Sequence, residues 1–191
     1  YLRDTQMNAL THIKKVAIVQ KQESMVLGTI AVRNLEVLKN VKDQTARGSL
    51  ISVIDKTQTS MGGRLLRKWI LSPLLDIDQI NQRLEKVQFL MRNLMKREEL
   101  KQTLKKIGDI ERLIGRVNFG SASPKDLLYL KHSLQQIKNI ELEEFKELSV
   151  FEGFDELIQI LDDSIREDTS NTLKDGGVVK LQYDEALFEL H

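Results

Sequence analysis

Cysteine is absent from this 191-residue chain, prolines number only two, and aromatic residues make up 5% of the sequence. Without cysteine, the chain can form neither a disulfide scaffold nor a thiolate metal site, and a reducing compartment is compatible with it. Apolar runs are also short, since none approaches the roughly 20 residues that span a bilayer. The sequence starts at Tyr1, so we expect a fragment of a longer protein, whose His191 is either native or a remnant of a purification tag.

Charged residues are plentiful, at 30% of the chain, and they are unevenly distributed although the net charge is only +1. Basic side chains predominate in 1–68 and again in 92–106, whereas 141–168 is strongly acidic. A basic surface attracts phosphates and an acidic surface repels them. The simpler interpretation is that these segments are solvated faces of a helical bundle, and a nucleic-acid-binding surface is the alternative.

The composition is rich in Leu, Ile, Glu, Lys, Gln and Arg, which favours long helices. Apolar residues recur every three or four positions along most of the chain. This spacing predicts an all-α fold, an irregular multi-helix bundle with one or two short extended segments. β-branched residues make 14–28 and 178–183 the candidates for extended structure. We expect helices at 1–12, 29–39, 49–56, 60–72, about 77–94, about 100–117 with a break at Gly108, from 124 onward, 154–166 and from 183 onward.

Local signals mark where several of these helices begin and end. Ser49 is suited to an N-cap, and so is the serine of the Ser-Pro-Lys-Asp sequence at 123–126, which places proline and an acid in the first helical turn. Asp76 resembles the first residue of a capping box. Pro73 disfavours helical geometry at Ser72, so a helix should stop there. After the cap at 123, four residues predict a seam along one helix face: Leu127, Leu130, Leu134 and Ile137.

The segment 55–74 contains the pair Gly62-Gly63 directly before Arg64, an arrangement that raises the question of a phosphate-binding loop. A P-loop requires GxxxxGK[ST], and no such string occurs in the sequence. Glycine in a helix interior costs about 1 kcal/mol relative to alanine. A glycine pair there therefore predicts that a neighbouring backbone comes very close, and we interpret the pair as a packing feature.

The same helix carries a basic face made of Arg64, Arg67 and Lys68, with Trp69 on the other side. We interpret the basic residues as solvated or held in internal salt bridges. Trp69 is expected in the core, where its indole N–H would need a partner.

No catalytic or metal-binding constellation is evident. The three histidines lie far apart and share no ligand spacing that would indicate zinc. Adjacent acids such as Glu143 with Glu144, and Asp162 with Asp163, are better explained as solvated charge than as paired catalytic carboxylates.

The string IDKTQTSMGGRLLRKWILSPLLDIDQINQRLEKVQFL, at 54–90, resembles the core domain of the MutS family of DNA mismatch-recognition ATPases. The family pattern there is Leu/Ile-Asp, then T-x-T-x-M-G-x-R-x-L-R-x-W, then P-L-x-D and I-x-x-R-L-x-x-V. From this match we expect structural or coupling roles, without catalysis, for eight residues: Asp55, Gly62, Gly63, Arg64, Arg67, Trp69, Pro73 and Arg83.

Other segments extend the resemblance over nearly the whole chain. Residues 1–13 resemble the segment that leads in from the connector domain, and 33–36 resemble the family's R-N-L-E. Residues 107–130 resemble I-G-D-L-E-R-L-x-G-R followed by a S-P-x-D-L helix, and 176–185 resemble the lead-in to the lever helix. We therefore predict that 1–191 is the first part of this core, ending where the lever helix leads to the clamp. Leu27-Gly28 departs from the Leu-Asp that the family often has there.

The resemblance implies a non-catalytic structural core that couples an ATPase domain to a DNA clamp and a mismatch-binding domain. It places no catalytic, cofactor-binding or metal-binding residue in this chain, and it assigns ATP and Mg²⁺ to the parent protein. It also implies partners: the connector, clamp and ATPase domains, mismatched duplex DNA and a second copy in a parent homodimer, with no membrane. The implied location is the bacterial cytoplasm, associated with the nucleoid.

Two further expectations accompany this assignment. Because the lever would be incomplete, we expect exposed apolar surface on the final helix and near 154–165, with a tendency to self-associate. The alternative function is a stand-alone helical nucleic-acid-binding module that uses the basic faces 1–68 and 92–106.

Overall fold

The computed structural model describes residues 24–140 and 153–183, so the helices predicted at 1–12 and from 183 onward, and most of the segment 14–28, fall outside the described residues. The described ranges contain two 3-10 turns, Leu173–Asp175 and Leu181–Tyr183, and eight α-helices. The helices are α1 Thr29–Asn34, α2 Leu50–Ile54, α3 Ser60–Leu71, α4 Ile77–Arg92, α5 Leu94–Lys105, α6 Ile110–Asn118, α7 Pro124–Lys138 and α8 Asp155–Ser164. The predicted all-α fold is confirmed.

The extended segment predicted at 178–183 is wrong as a strand. Val179 makes a single isolated antiparallel bridge with Ile165, and the chain then turns into the 3-10 turn Leu181–Tyr183. Gly176 and Gly177 precede it, both with positive φ, so the backbone bends sharply just before the segment. A second isolated bridge joins Ser24 to Leu74, and within the described ranges no strand longer than such a bridge forms.

The helix predicted at 29–39 ends early, at Asn34. Glu36 adopts a positive φ of 48°, which a continuing helix does not allow, and its carboxylate accepts a hydrogen bond from the Val41 backbone N–H at 2.7 Å. The chain then pairs with α2, because the Ile51 N–H donates to the Val37 carbonyl at 3.0 Å. Val37 and Ile51 are both buried, so the early stop allows a small local core.

The helix ends predicted at Asp76, Ser123 and ahead of Pro73 are confirmed, whereas the cap at Thr59 was not predicted. Thr59 caps α3 by accepting a hydrogen bond from the Gly62 N–H at 3.0 Å, and α3 ends at Leu71, as expected ahead of Pro73. Asp76 caps α4 through the Gln79 N–H at 2.8 Å. Ser123 forms a complete capping box at the start of α7. Ser49 also precedes its helix, but its hydroxyl donates to the Ala46 carbonyl and does not cap the helix.

The long apolar pattern after Asp76 breaks twice. The break predicted at Gly108 is present between α5 and α6, and a second break occurs at Asn93, whose backbone N–H and side-chain amide both donate to the Phe89 carbonyl. Along α4 the apolar stripe is largely exposed: Leu84 is 58% exposed and Met91 is 69% exposed.

The buried core of the described residues is centred on α7, which packs against α5, α6 and α8. One cluster joins Leu113 to Leu130 and Leu134, with Phe154 packed against it. A second cluster joins Leu128 to two residues of the α8 segment, Leu161 and Ile165. The predicted seam is therefore confirmed at Leu130 and Leu134, which are buried. Leu128 lies outside the seam and is buried too, so α7 buries a wider face than the seam alone.

Candidate functional site

The predicted site begins with the loop that precedes α3. Asp55 accepts hydrogen bonds from the Thr57 backbone N–H at 3.1 Å and from its hydroxyl at 2.7 Å, and these bonds lower the pKa of the Asp55 carboxyl. A Cβ added at Gly62 would lie 3.0 Å from the Thr59 Oγ1 and 3.4 Å from the Thr57 Cβ. At Gly63 the nearest atom would be the Thr57 Oγ1, at 3.4 Å. Close packing is present, but it involves side chains of the preceding loop and no neighbouring backbone.

Arg64 connects α3 to the start of α6. Its two terminal nitrogens donate to the two Asp109 carboxylate oxygens at 2.8 and 2.7 Å, and its Nε donates to Glu111 at 2.9 Å. Planar guanidinium and carboxylate groups paired in this way fix orientation as well as distance. Asp109 is also the N-cap of α6, where a carboxylate is favoured by the helix dipole. The interpretation of Arg64 as part of an internal salt bridge is therefore correct.

The electrostatics agree with this geometry. Hydrogen bonds from Arg64 hold the pKa of Asp109 below its usual value, and the bonds to Asp109 and Glu111 raise the pKa of Arg64. Asp109 is well shielded, since its side chain is only 18% exposed, whereas Glu111 is largely exposed. The pair with Asp109 is therefore the less solvent-screened part of the contact.

Trp69 is not a core residue, which corrects the expectation from the sequence. It is 41% exposed, and the guanidinium carbon of Arg83 lies 3.7 Å from the centre of its ring. This cation–π contact joins α3 to α4 and covers one ring face with a charged group that itself remains accessible to water. Pro73 lies in the turn between the same two helices, and its carbonyl accepts a hydrogen bond from the Met25 N–H at 2.7 Å.

The eight predicted residues thus do not surround one pocket. Asp55, Gly62 and Gly63 belong to the loop and first turn of α3, and the charge of Arg67 acts on the Asp55 carboxylate and lowers its pKa. Arg64 faces α6, while Trp69 and Arg83 face each other between α3 and α4. Their contacts all involve α3 or the segments that flank it.

The sequence interpretation missed a buried lysine on α7. The Lys131 side chain is only 2% exposed, and its ammonium donates to Asp162 at 3.0 Å and also to Glu167. Burial acts to lower the pKa of Lys131, but the hydrogen bonds to these carboxylates outweigh it and the pKa is raised. Position 131 lies four residues after Leu127 and three before Leu134. This spacing places Lys131 on the same helix face as the two leucines, so its burial could have been predicted from the sequence.

A second missed contact explains the break at Gly108. The Gly108 N–H donates to the Ser133 hydroxyl at 2.9 Å, and that hydroxyl donates to the Tyr129 carbonyl at 2.7 Å. Ser133 is 1% exposed, and a Cβ at Gly108 would lie 3.2 Å from its Oγ. Any larger residue at 108 would therefore require Ser133 or the chain at 108 to shift.

Two features are absent from the part of the chain that the structure describes. No cluster of three or more His, Cys, Asp or Glu side chains suitable for holding a metal ion occurs there. No helix of the described part is long and apolar enough to cross a membrane.

Comparison with known proteins gives a consistent assignment. A family model described as MutS domain III matches residues 30–187. The DNA mismatch repair protein MutS of Alkaliphilus oremlandii (strain OhILAs) is 43% identical, over 100% of this chain and 23% of that protein. The proteins of the same name from Alkaliphilus metalliredigens (strain QYMF) and Bacillus subtilis (strain 168) are 41% and 34% identical, over 100% and 99% of this chain and 22% and 23% of their own lengths.

The chain thus spans less than a quarter of the length of these relatives. The family model covers most of the chain, and it includes Arg64, Asp109 and Lys131. On these matches, the chain belongs to the MutS domain III family.

Proposed function

We propose that this chain is the non-catalytic structural core of a DNA mismatch-recognition ATPase and that it acts in mismatch repair. Residues 1–191 would be the first part of the core, with 1–13 leading in from a connector domain. The core would couple the state of an ATPase domain to a clamp and a mismatch-binding domain. The names of the relatives and their much greater length support this placement within a longer protein.

The observation that carries the proposal is a continuous set of ion pairs between helices, which we call the inter-helix ion pairs. Each pair links one helix to the next element in the series α3, α6, α7 and α8. They are Arg64 with Asp109 and Glu111, Arg116 with Asp126, and Lys131 with Asp162 and Glu167.

Such pairs suit transmission of movement because they keep helices in fixed relative orientations. Arg64 binds the carboxylates of Asp109 and Glu111, which lie 45 and 47 residues further along the chain. Arg116 meets the same Asp126 that completes the capping box of α7, at 2.7 Å. Packed helices held in this way move as units between a few arrangements, which is how small shifts at one site reach another.

In this proposal the chemistry lies elsewhere in the longer protein. ATP and Mg²⁺ would bind its ATPase domain, and mismatched duplex DNA would be held by its clamp and mismatch-binding domains. The partners of this chain would be the connector, clamp and ATPase domains, in a homodimer of the bacterial cytoplasm that associates with the nucleoid.

Fluorescence anisotropy with this chain tests the division of roles. Matched and G·T-mismatched duplexes are titrated at two salt concentrations. We expect no binding, or weak binding that does not distinguish the two duplexes, because the DNA contacts would lie in other domains. Tight binding that prefers the mismatch would overturn the proposal.

The same titration separates the proposal from the stand-alone nucleic-acid-binding module. A module that neutralises several phosphates loses affinity steeply with salt, with a log–log slope of roughly −0.9 per phosphate contact. Tight, salt-steep binding to both duplexes would therefore favour the module, and the basic faces would be its contact surface.

A further inference from the structure

A groove lies between the segment 56–58 and helices α4 and α5, with a volume of ≈ 450 Å³. Its apolar lining is formed by three half-buried leucines, Leu90, Leu100 and Leu104. Apolar side chains that line an open groove in this way favour a partner that brings apolar side chains of its own.

Cations surround this apolar lining. Lys56 lies on one side, and Arg97 and Lys101 lie on α5, where four residues correspond to one turn, or about 6 Å along the axis. Glu98 is the one acidic residue among those that line the groove, and it lies 3.5 Å from the Lys101 ammonium. One carboxylate offsets only part of three positive charges, so the groove stays positive. Its chemistry suits an acidic amphipathic helix.

The chain carries a helix of that kind in α8. Leu157 and Ile160 are 38% and 46% exposed, although their neighbours Leu161 and Ile165 are buried against α7. Glu156 and Asp163 lie beside them, two turns apart or roughly 10 Å, and both are exposed. Both carboxylate oxygens of Asp163 accept hydrogen bonds from the Gln159 side-chain amide at 2.9 Å. We call Glu156, Leu157, Ile160 and Asp163 the acidic face of α8.

We propose that the acidic face of α8 of one copy docks into the groove of a second copy. Glu156 and Asp163 would then lie near Lys56, Arg97 and Lys101, and the exposed apolar side chains would cover the leucines. Opposite charge on the two surfaces favours this pairing over groove to groove or helix to helix. Within one copy α8 packs mainly on α7, and its Leu157 and Ile160 remain exposed.

The contact would be heterologous, since it joins two different surfaces. Each copy that uses its groove still presents a free α8, and each copy that uses α8 still presents a free groove. Such contacts form closed rings or open chains. The 191-residue chain should therefore form assemblies that grow with concentration and are not limited to a dimer.

Sedimentation velocity of the 191-residue chain over a range of concentrations tests this. We expect the average mass to rise with concentration at about 0.1 M salt, and to fall towards the monomer mass of 22.0 kDa at about 1 M salt. Screening between these conditions shortens the Debye length from about 10 Å to about 3 Å. A monomer at every concentration would overturn the proposal.

Charge reversal identifies the surfaces. Arg97→Glu with Lys101→Glu reverses the groove, and Glu156→Lys with Asp163→Lys reverses the acidic face of α8. We expect each double variant alone to be monomeric. A mixture of the two, and also the variant that carries all four changes, should associate again.

The control carries Lys42→Glu and Lys125→Glu at exposed positions outside both surfaces, and it makes the net charge more negative by as much as the groove variant does. It should associate like the unmodified chain, and far-UV circular dichroism checks that every variant keeps its helices. Association that persists in both reversed variants would overturn the proposal, as would failure of the four-change variant to associate while its helices are intact.

Discussion

Arg64 makes the contact that joins α3 to α6, and its guanidinium cannot be replaced by an ammonium group. Lysine presents one point charge, so Arg64→Lys keeps the charge but loses the fork that meets Asp109 and Glu111 together. We expect a lower urea midpoint for this variant in unfolding followed by circular dichroism. Arg67→Lys, on the exposed side of the same helix, is the matched control and should leave the midpoint unchanged. Equal midpoints for the two variants would contradict this account of α3.

The same pair predicts a pH dependence. The pKa of Asp109 is lowered from its ordinary value of 3.8 by Arg64, so the stability that the pair contributes is present above that value. It is lost as pH falls through the depressed pKa of the folded state, because protonation then breaks the pair. Arg64→Gln lacks this pair from the start. Its free energy of unfolding should therefore fall less than that of the unmodified chain as the pH drops below about 4. Acid unfolding monitored by circular dichroism checks this, and identical acid profiles would contradict it.

Two glycines should respond in opposite ways to a larger side chain. Gly62→Leu forces the 57–59 loop to move, because even a Cβ would lie 3.0 Å from Thr59 Oγ1, and overpacking of this kind costs about 1–3 kcal/mol. Gly115 lies inside α6 with open space around its Cβ position. Gly115→Ala should stabilise the chain by about 0.4–1 kcal/mol, because it restricts the unfolded state. Urea unfolding measures both changes, and a stabilising Gly62→Leu would contradict the packing of the loop.

At the scale of the element, the start of α7 is the best-defined helix end in the described part. Ser123 Oγ accepts the Asp126 N–H at 3.2 Å, and Asp126 accepts the Ser123 N–H at 3.0 Å. Ser123→Ala should cost about 1 kcal/mol, since it leaves an N–H at the helix start without its partner. Ser60→Ala, at the exposed first residue of α3, is the control and should change stability by less than about 0.5 kcal/mol. Equal losses at both sites would contradict the capping box.

Helix ends were predictable because their causes lie within a few residues of sequence. The predicted caps at Asp76 and Ser123 each involve a side chain and an N–H three residues later, and Pro73 acts on the residue before it. Thr59 caps α3 at the same spacing, although the sequence analysis did not single it out. The early end of α1 was missed because it depends on one residue, Glu36, in a positive-φ conformation that most side chains avoid.

Burial was harder to predict because it depends on partners distant in sequence. Trp69 was expected in the core and lies half exposed under Arg83, whereas Lys131 was not singled out and is buried. Periodicity identifies which residues share a helix face but not what covers that face. The same limit explains why the stripe on α4 is exposed although its spacing is that of a packed helix.

At the scale of the whole molecule, the sequence motif identified single residues of the site, and the folded structure identified the residues that they contact. The motif in 54–90 identified Arg64 but not its partners, because these lie 45 and 47 residues further along the chain. The inter-helix ion pairs became visible only when α3, α6, α7 and α8 were placed together. The proposed role of the core depends on this set of contacts more than on any one of the eight predicted residues.

The coupling between ATP and mismatched DNA in the full-length protein tests this role most directly. It is measured as the ratio of affinities for a mismatched duplex with and without ATP, and typical couplings change affinity about 5–150-fold. For Arg64→Lys we predict a ratio much closer to one, with duplex affinity in the absence of ATP and ATP affinity in the absence of DNA nearly unchanged. The contradicting result is a variant that has lost the contact between α3 and α6 but keeps the affinity ratio of the unmodified protein. In that case this core would not transmit the signal.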